Sequence, residues 1–151
     1  VRPCLPYLDL VVVNDHEIGG IAGIETVRDG KTDVEACIAA ARTVLDLGAA
    51  RLVVVHFPRG AVAANRDGSV VVKPSVDVPP AEAKGANGAG DAFAAGFLYG
   101  FHEGWSVADC LALAHATAAA SLRVISTTAS IEPWKACLAL ADRWGWRETT
   151  S

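Results

Sequence analysis

Methionine is absent from the 151 residues, no apolar run reaches the about 18 residues of a membrane-spanning helix, and no two cysteines stand at Cys-x-x-Cys spacing. Without such a run, no helical span and no membrane partner are expected. The N-terminus shows no basic segment followed by an apolar one, so no signal peptide is expected either, and the cytoplasm is the predicted location. Cys4, Cys37, Cys110 and Cys137 are widely separated in a chain too large to need a disulfide framework, which predicts buried, reduced thiols. Basic residues are outnumbered, 13 against 17 acidic ones, and scattered, so no stripe exists for a nucleic-acid backbone and nucleic acid is excluded as a partner. Because Met is missing, Val1 is not a translation start, and Arg2-Pro3-Cys4-Leu5-Pro6 leads straight into a strand-like run. A segment upstream is therefore expected. A mean hydropathy of +0.31 adds the expectation of an apolar surface that another segment or subunit covers.

What is present is a chain that is 52% apolar and 20% charged, enough to bury the core of one globular domain over residues 1–151. Residues 9–13 (Asp-Leu-Val-Val-Val) form a short, nearly continuous β-branched run, the pattern of a strand buried on both faces of a parallel sheet. Residues 33–47 read as an amphipathic helix with Val34, Ile38, Ala41 and Leu45 on one face, and residues 52–55 as a second buried strand. Together they make a βαβ unit with the usual right-handed crossover. Residues 61–65 and 69–72 flank Arg66-Asp67-Gly68 and predict a β-hairpin at an antiparallel edge. Residues 76–84 contain Pro79-Pro80 and cannot be a central strand, so they are expected to be extended loop.

Three helical segments follow. Phe93, Phe97 and Phe101 recur at four-residue steps and mark a core stripe. Residues 107–124 are alanine-rich, with Leu111, Ala114, Ala118 and Leu122 on one face, suited to close packing on the Phe helix. Residues 131–144 form the last helix, with Pro133 in its first turn.

Residues 85–98 (Gly-Ala-Asn-Gly-Ala-Gly-Asp-Ala-Phe-Ala-Ala-Gly-Phe-Leu) set a glycine turn, an acid and an apolar helix in series. Gly88 and Gly90 allow close backbone approach, and the first free amides of a helix, backed by its dipole, suit a phosphate. Asp91 then falls in the first helical turn. The competing reading is an ordinary loop-to-helix junction with Asn87 as the N-cap. No Gly-x-x-x-x-Gly-Lys-Ser/Thr exists, which excludes a standard P-loop. The dinucleotide fingerprint fails at its third glycine, where Phe93 stands after a proline-bearing loop, so a hydride-transferring domain is excluded as well.

Gly88-Ala89-Gly90-Asp91, with the small residues Ala95 and Gly96 after it, resembles the second signature of the ribokinase-like PfkB family of sugar and nucleoside kinases. The resemblance covers essentially the whole chain as that family's C-terminal, nucleotide-binding half. It implies a Rossmann-like ribokinase fold fragment: a mostly parallel sheet, helices on both faces, an antiparallel hairpin edge, and the ligand at the C-terminal ends of the strands. It implies further that Asp91 is the catalytic base and that the amides from Gly88 through Ala89 to Gly90 form the anion hole, with Asn87 beside them. Asn14-Asp15-His16-Glu17, after the first strand, is similar to the family's Asn-x-x-Glu, in which Asn14 and Glu17 would organise Mg²⁺, its waters and the phosphates of ATP. A capping helix start gives the same letters.

Residues 53–61 (Val-Val-Val-His-Phe-Pro-Arg-Gly-Ala) occupy the place of the family's Thr-x-Gly-x-x-Gly loop, which borders the nucleotide. Gly60 matches cleanly, whereas His56 is read in place of the Thr and Pro58 in place of the first Gly. His56 is then either a ring donor to the phosphates or a structural histidine. His115 falls where relatives often place an Asn near the base of ATP, and is otherwise a packed helix histidine. The family's Asp-Thr-Thr before the anion hole is Gly85-Ala86-Asn87 here, which removes the acid of a monovalent-cation site, so K⁺ dependence is doubtful although Ser130 matches one position of that site.

The expected activity is ATP-dependent phosphoryl transfer to a sugar hydroxyl, with nucleoside kinase or a non-catalytic nucleotide-binding protein as alternatives. The resemblance places the sugar-holding half and β-lid outside these residues, and a homodimer would follow by analogy with that lid.

Overall fold

In the computed structural model, which describes residues 1–48, 50–126, 132–148 and 150, the chain divides into two compact units, Val1–Val72 with Thr150 and Lys73–Glu148. In the first unit a 3-10 segment, Arg2–Tyr7, precedes strand β1, Leu10–Asn14. Helix α1, Asp15–Ala22, follows at once, and a small hairpin, β2 (Val27–Arg28) and β3 (Lys31–Thr32), leads into helix α2, Val34–Leu47. Then come β4, Leu52–Phe57, β5, Gly60–Asn65, and β6, Val70–Pro74.

The sheet order is β1-β4-β5-β6. β1 and β4 are parallel, from Leu10 opposite Leu52 to Asn14 opposite His56, as the predicted βαβ unit requires. β4 and β5 are antiparallel, from Leu52 opposite Asn65 to Phe57 opposite Gly60, with Pro58-Arg59 as the turn. Val53, Val55 and Val62 join one core with Cys37, Ala40 and Val44 of α2. The alternate side chains of Leu52, Val54, Ala61 and Ala63 are buried too. Burial of both faces fits the reading of β4, whereas in β1, for which the same was expected, only Val11 is buried.

The α/β class, the parallel pair and the hairpin edge accord with the sequence reading. Asp67 shapes the hairpin turn by accepting hydrogen bonds from the Ser69 N–H at 2.8 Å and its hydroxyl at 2.6 Å. Those bonds hold the Asp67 carboxyl below its ordinary pKa.

Two expectations are extended. The predicted face of α2 packs on the core, with Ala41 and Leu45 buried and Val34 and Ile38 partly buried, and the buried set also takes in Cys37, Ala40 and Val44. Small side chains let the helix approach the strands. β4 also continues two residues beyond the predicted Val55, carrying His56 and Phe57 into the ladder.

The second unit opens with the expected loop, in which Val76 makes an isolated antiparallel bridge to Trp146. Helices α3, Ala89–His102, α4, Val107–Ser121, and α5, Trp134–Trp144, follow. Ile131, the predicted start of the last helix, lies outside the described residues. Phe93 and Phe97 are buried and Phe101 stacks on Phe97 at 6.2 Å between ring centroids, so the stripe is core. α4 packs on α3 as predicted. Its buried positions run almost all the way round, from Cys110 and Leu111 to Ala116 and Ala120, rather than along one face.

Cys37, Cys110 and Cys137 are buried free thiols, while Cys4 is exposed. Burial pushes each buried thiol up in pKa, Cys37 to about 12 with help from the charges of Asp15 and Asp33. Among the described residues no helix is long and apolar enough to cross a membrane.

Candidate active site

In the second unit the site begins at Gly88, whose φ of 78° is left-handed and therefore suits glycine. Gly88 is the N-cap of α3, and no side chain caps the helix. Asn87 thus does not play the capping part that the bland reading gave it. The Gly88 carbonyl accepts the Ala92 N–H at 2.9 Å, and the Ala89 N–H reaches Ala86 O at 3.3 Å. The amides of Gly90 and Asp91 lie ahead of the helical ladder, where an anion can take them up. Asp91 is exposed in this first turn.

The turn is held from behind. The amides of Lys84 and Gly85 both donate to Leu122 O, at 2.8 and 3.3 Å. The Thr117 hydroxyl donates to Ala92 O at 2.7 Å, which ties the first turn of α3 to α4. Gly96 makes that closeness possible, since a Cβ there would stand 2.3 Å from Thr117 Oγ1 and 2.9 Å from Leu113 O.

Asp91 also lines a cavity of about 480 Å³ with Ala95, Tyr99, Ser121, Glu132 and Trp134 among its walls. Tyr99 and Trp134 form an aromatic group with Trp105, with ring centroids 5.1 to 6.1 Å apart. Sequence reasoning did not name these residues. The signal was available, since Ala95 and Tyr99 follow Asp91 at i+4 and i+8 on one helix face. His115 is 3% exposed and meets Phe93 edge-on at 5.0 Å and Trp146 at 6.5 Å, so it sits inside the packed interior of this unit.

In the first unit, Asn14 and Glu17 form a reciprocal capping box at the start of α1. The Asn14 side chain accepts the Glu17 N–H at 2.8 Å, and Glu17 Oε2 accepts the Asn14 N–H at 2.8 Å. The register sets His56 beside Asn14 at the C-terminal end of the parallel pair, and Gly60 opposite Phe57 at the next position. Counted back from Gly60, the Thr and first Gly places of Thr-x-Gly-x-x-Gly fall on Val55 and Phe57, not on His56 and Pro58. Both are buried, so neither a hydroxyl nor a bare backbone stands at those places.

Among the described residues no group of three or more His, Cys, Asp or Glu side chains could cage a metal. Mg²⁺ does not need one, since it commonly keeps its waters and takes one or two carboxylates plus phosphate oxygens. Glu17, exposed and with one oxygen engaged in the cap, fits that limited demand. Ser130 lies outside the described residues.

An open, glycine-led helix start with a carboxylate in its first turn is suited to an anion. The chain belongs to the pfkB family of carbohydrate kinases, whose defining pattern matches residues 1–135. It is similar to an adenosine kinase of Schizosaccharomyces pombe, 33% identical over 129 residues that span 82% of this chain and 36% of that protein. It is also similar to a cytidine kinase of Thermococcus kodakarensis, 31% identical over 113 residues covering 75% of this chain and 36% of the relative. Among solved structures, a ribokinase of Arabidopsis thaliana complexed with ribose and ATP superposes with a TM-score of 0.79 at 25% identity, over 93% of this chain and 43% of the ribokinase. The chain thus spans well under half the length of these relatives.

Proposed function

We propose that these residues form the nucleotide-handling part of a kinase that transfers the γ-phosphoryl group of ATP to a hydroxyl of a sugar. The open start of α3, with Gly88 in the left-handed region and Asp91 in the first turn, carries this reading. Phosphoryl transfer passes through a loose transition state, so the protein chiefly positions the partners and neutralises charge on the phosphoryl oxygens. The anion hole assigned to Gly88, Ala89 and Gly90 holds those oxygens chiefly through the open Gly90 amide, since the Ala89 N–H is turned to Ala86 O. Asp91 orients the acceptor hydroxyl and takes its proton as the oxygen bonds to the γ-phosphorus. The bond from that phosphorus to the bridging oxygen breaks, and ADP leaves.

Asn14 and Glu17 are assigned to hydrated Mg²⁺, which would supply further neutralisation of the phosphate charge. His56, Gly60 and Asn87 are assigned to the nucleotide, while His115, enclosed between Phe93 and Trp146, takes the packed-histidine reading instead. K⁺ at Ser130 is not required by this scheme.

A nucleoside is the second acceptor to be considered, because the adenosine and cytidine kinases match 82% and 75% of this chain. A panel of free sugars and nucleosides, read by ADP release, separates the two. The assignment of Asp91 is tested by Asp91→Asn. Turnover should fall by about 10²- to 10⁴-fold, the range for loss of a general base, with Mg·ATP affinity nearly unchanged. Unaltered turnover sinks it. Retained Mg·ATP binding without ADP release from any acceptor would favour a non-catalytic nucleotide-binding protein.

A further inference from the structure

The first turn of α3 carries Asp91 and has no side-chain cap, so something other than a cap fixes how it is rotated about the helix axis. Two fastenings come from α4. The Thr117 hydroxyl donates to Ala92 O at 2.7 Å, and the His115 ring meets Phe93 edge-on at 5.0 Å between ring centroids. Phe93 is 2% exposed. Residues two apart on a helix point about 200° apart, so anchoring Phe93 inward turns Asp91 outward, where it is exposed.

The His115 ring is met in turn by Trp146, again edge-on, at 6.5 Å. Trp146 follows α5, and its segment lies antiparallel to residues 75–77 within the same unit. The Asp77 N–H donates to Gly145 O at 2.9 Å, the Arg147 N–H donates to Ser75 O at 3.0 Å, and Val76 bridges to Trp146 between them. Arg147 adds an ion pair to Asp77 at 3.1 Å and a hydrogen bond from its Nε to Ser75 Oγ at 3.1 Å. The Lys73 ammonium stands 4.3 Å from the Trp146 ring centroid, a cation–π contact on the indole. Trp146 is thus held by its backbone, by its neighbour and by its ring.

We propose that Trp146 is a positioning residue for Asp91, acting through His115 and Phe93 to hold the first turn of α3 in place of a cap. This rests on the phosphoryl-transfer reading above, which makes Asp91 the base, and extends it to a segment outside every motif of the sequence. It also explains how the helix start stays open. A side-chain cap would occupy amides that an anion needs, whereas ring contacts from behind leave them free.

The test is steady-state ADP release together with urea denaturation for Trp146→Ala, Trp146→Phe and Trp144→Ala. Trp146→Ala should lower kcat by about tenfold with acceptor KM unchanged, within the roughly 10²-fold that a small misplacement of a catalytic group can cost. Trp146→Phe should recover most of that loss, because an aromatic ring again backs His115. Trp144→Ala takes a ring from the cluster of Val76, Ala119 and Cys137. It should lower the urea midpoint and leave kcat as it was.

Unchanged kcat in Trp146→Ala overturns the proposal. So does an equal loss of kcat in Trp144→Ala, which would mark a general loosening of the unit. If Trp146→Ala does not fold, Trp146→Leu is judged by the same kcat. If Asp91→Asn leaves turnover unaltered, the phosphoryl-transfer reading fails and this inference with it. If Asp91→Asn is inactive while Trp146→Ala is fully active, this inference alone fails.

Discussion

At the start of α1 the chain satisfies its own amides, whereas at the start of α3 it leaves them open. Asn14 and Glu17 exchange two hydrogen bonds of 2.8 Å, each side chain on the other's amide. α2 and α4 are capped as well, by Asp33 and Ser106. α3 has no side-chain cap and begins at a left-handed glycine. α5 is also uncapped, but it starts at Pro133 and carries no acid in its first turn. An open start therefore becomes a candidate site only when a glycine turn admits a ligand and an acid stands ready beside it. The capped start contributes by holding Glu17 in one conformation, a different service from the same kind of helix end.

Closing the open start should have the largest effect. Gly88→Asp would put a capping carboxylate and a negative charge where the anion is expected, in a left-handed conformation that side chains seldom adopt. Turnover measured by ADP release should fall by at least about 10²-fold, as when an oxyanion donor is lost. Turnover within a few-fold of the unaltered protein would show that these amides bind no transferring phosphate.

Loosening what stands behind that start comes next. Gly96→Ala would drive a Cβ into Thr117 Oγ1 and the Leu113 carbonyl. Overpacking of this kind costs about 1–3 kcal/mol, readable as a lower urea midpoint. Combining it with Thr117→Ala should return part of the loss, because the hydroxyl is the nearest obstacle. A Gly96→Ala protein of unchanged stability would mean that α3 and α4 do not approach so closely.

How much of this was legible from the sequence differs between the same two regions. The valine runs announced both strands, although burial on both faces holds for β4 and not for β1, where only Val11 is buried, and the phenylalanine stripe announced a core helix. The order Gly-x-Gly-Asp before an apolar helix located the open start. Three things were hidden. Asn-x-x-Glu has the same letters whether it caps a helix or faces a metal, so the bonds of Asn14 and Glu17 required coordinates. The β2–β3 hairpin was missed although Asp29-Gly30 carries the same turn signal as Asp67-Gly68, because strands of two residues leave no alternation to read. Contacts such as Thr117 to Ala92, 25 residues apart, depend on helices meeting and have no local trace.

Opening the capped start should cost less. Asn14→Ala removes one bond of the box and should destabilise the protein by about 1 kcal/mol, measured by chemical denaturation. Glu17→Gln is the sharper variant, since its side-chain oxygen can still accept the Asn14 N–H while the charge is lost. If Glu17 serves only the cap, stability and Mg²⁺ requirement both stay as they were. If it also faces hydrated Mg²⁺, the Mg²⁺ concentration for half-maximal activity should rise several-fold with stability unchanged.

The smallest effect concerns what the capped starts enclose. Asp15, in the first turn of α1, and Asp33, the cap of α2, both bear on the buried Cys37 thiol, although burial itself is the larger reason its pKa stands at about 12 rather than 9.0. A folded pKa raised above the unfolded one contributes stability that is complete below about pH 9 and is lost as the pH climbs towards 12, because the unfolded thiol ionises first. Melting temperature should therefore decline through that alkaline window. Cys37→Ala removes the ionisable group and nearly preserves the small size that α2 needs against the strands, so its decline should be shallower by the share that Cys37 contributes. Equal slopes in the two proteins would mean that the thiol is as easily ionised folded as unfolded, and that the two carboxylates and the core around it do not enclose it as tightly as the packing of α1 and α2 requires.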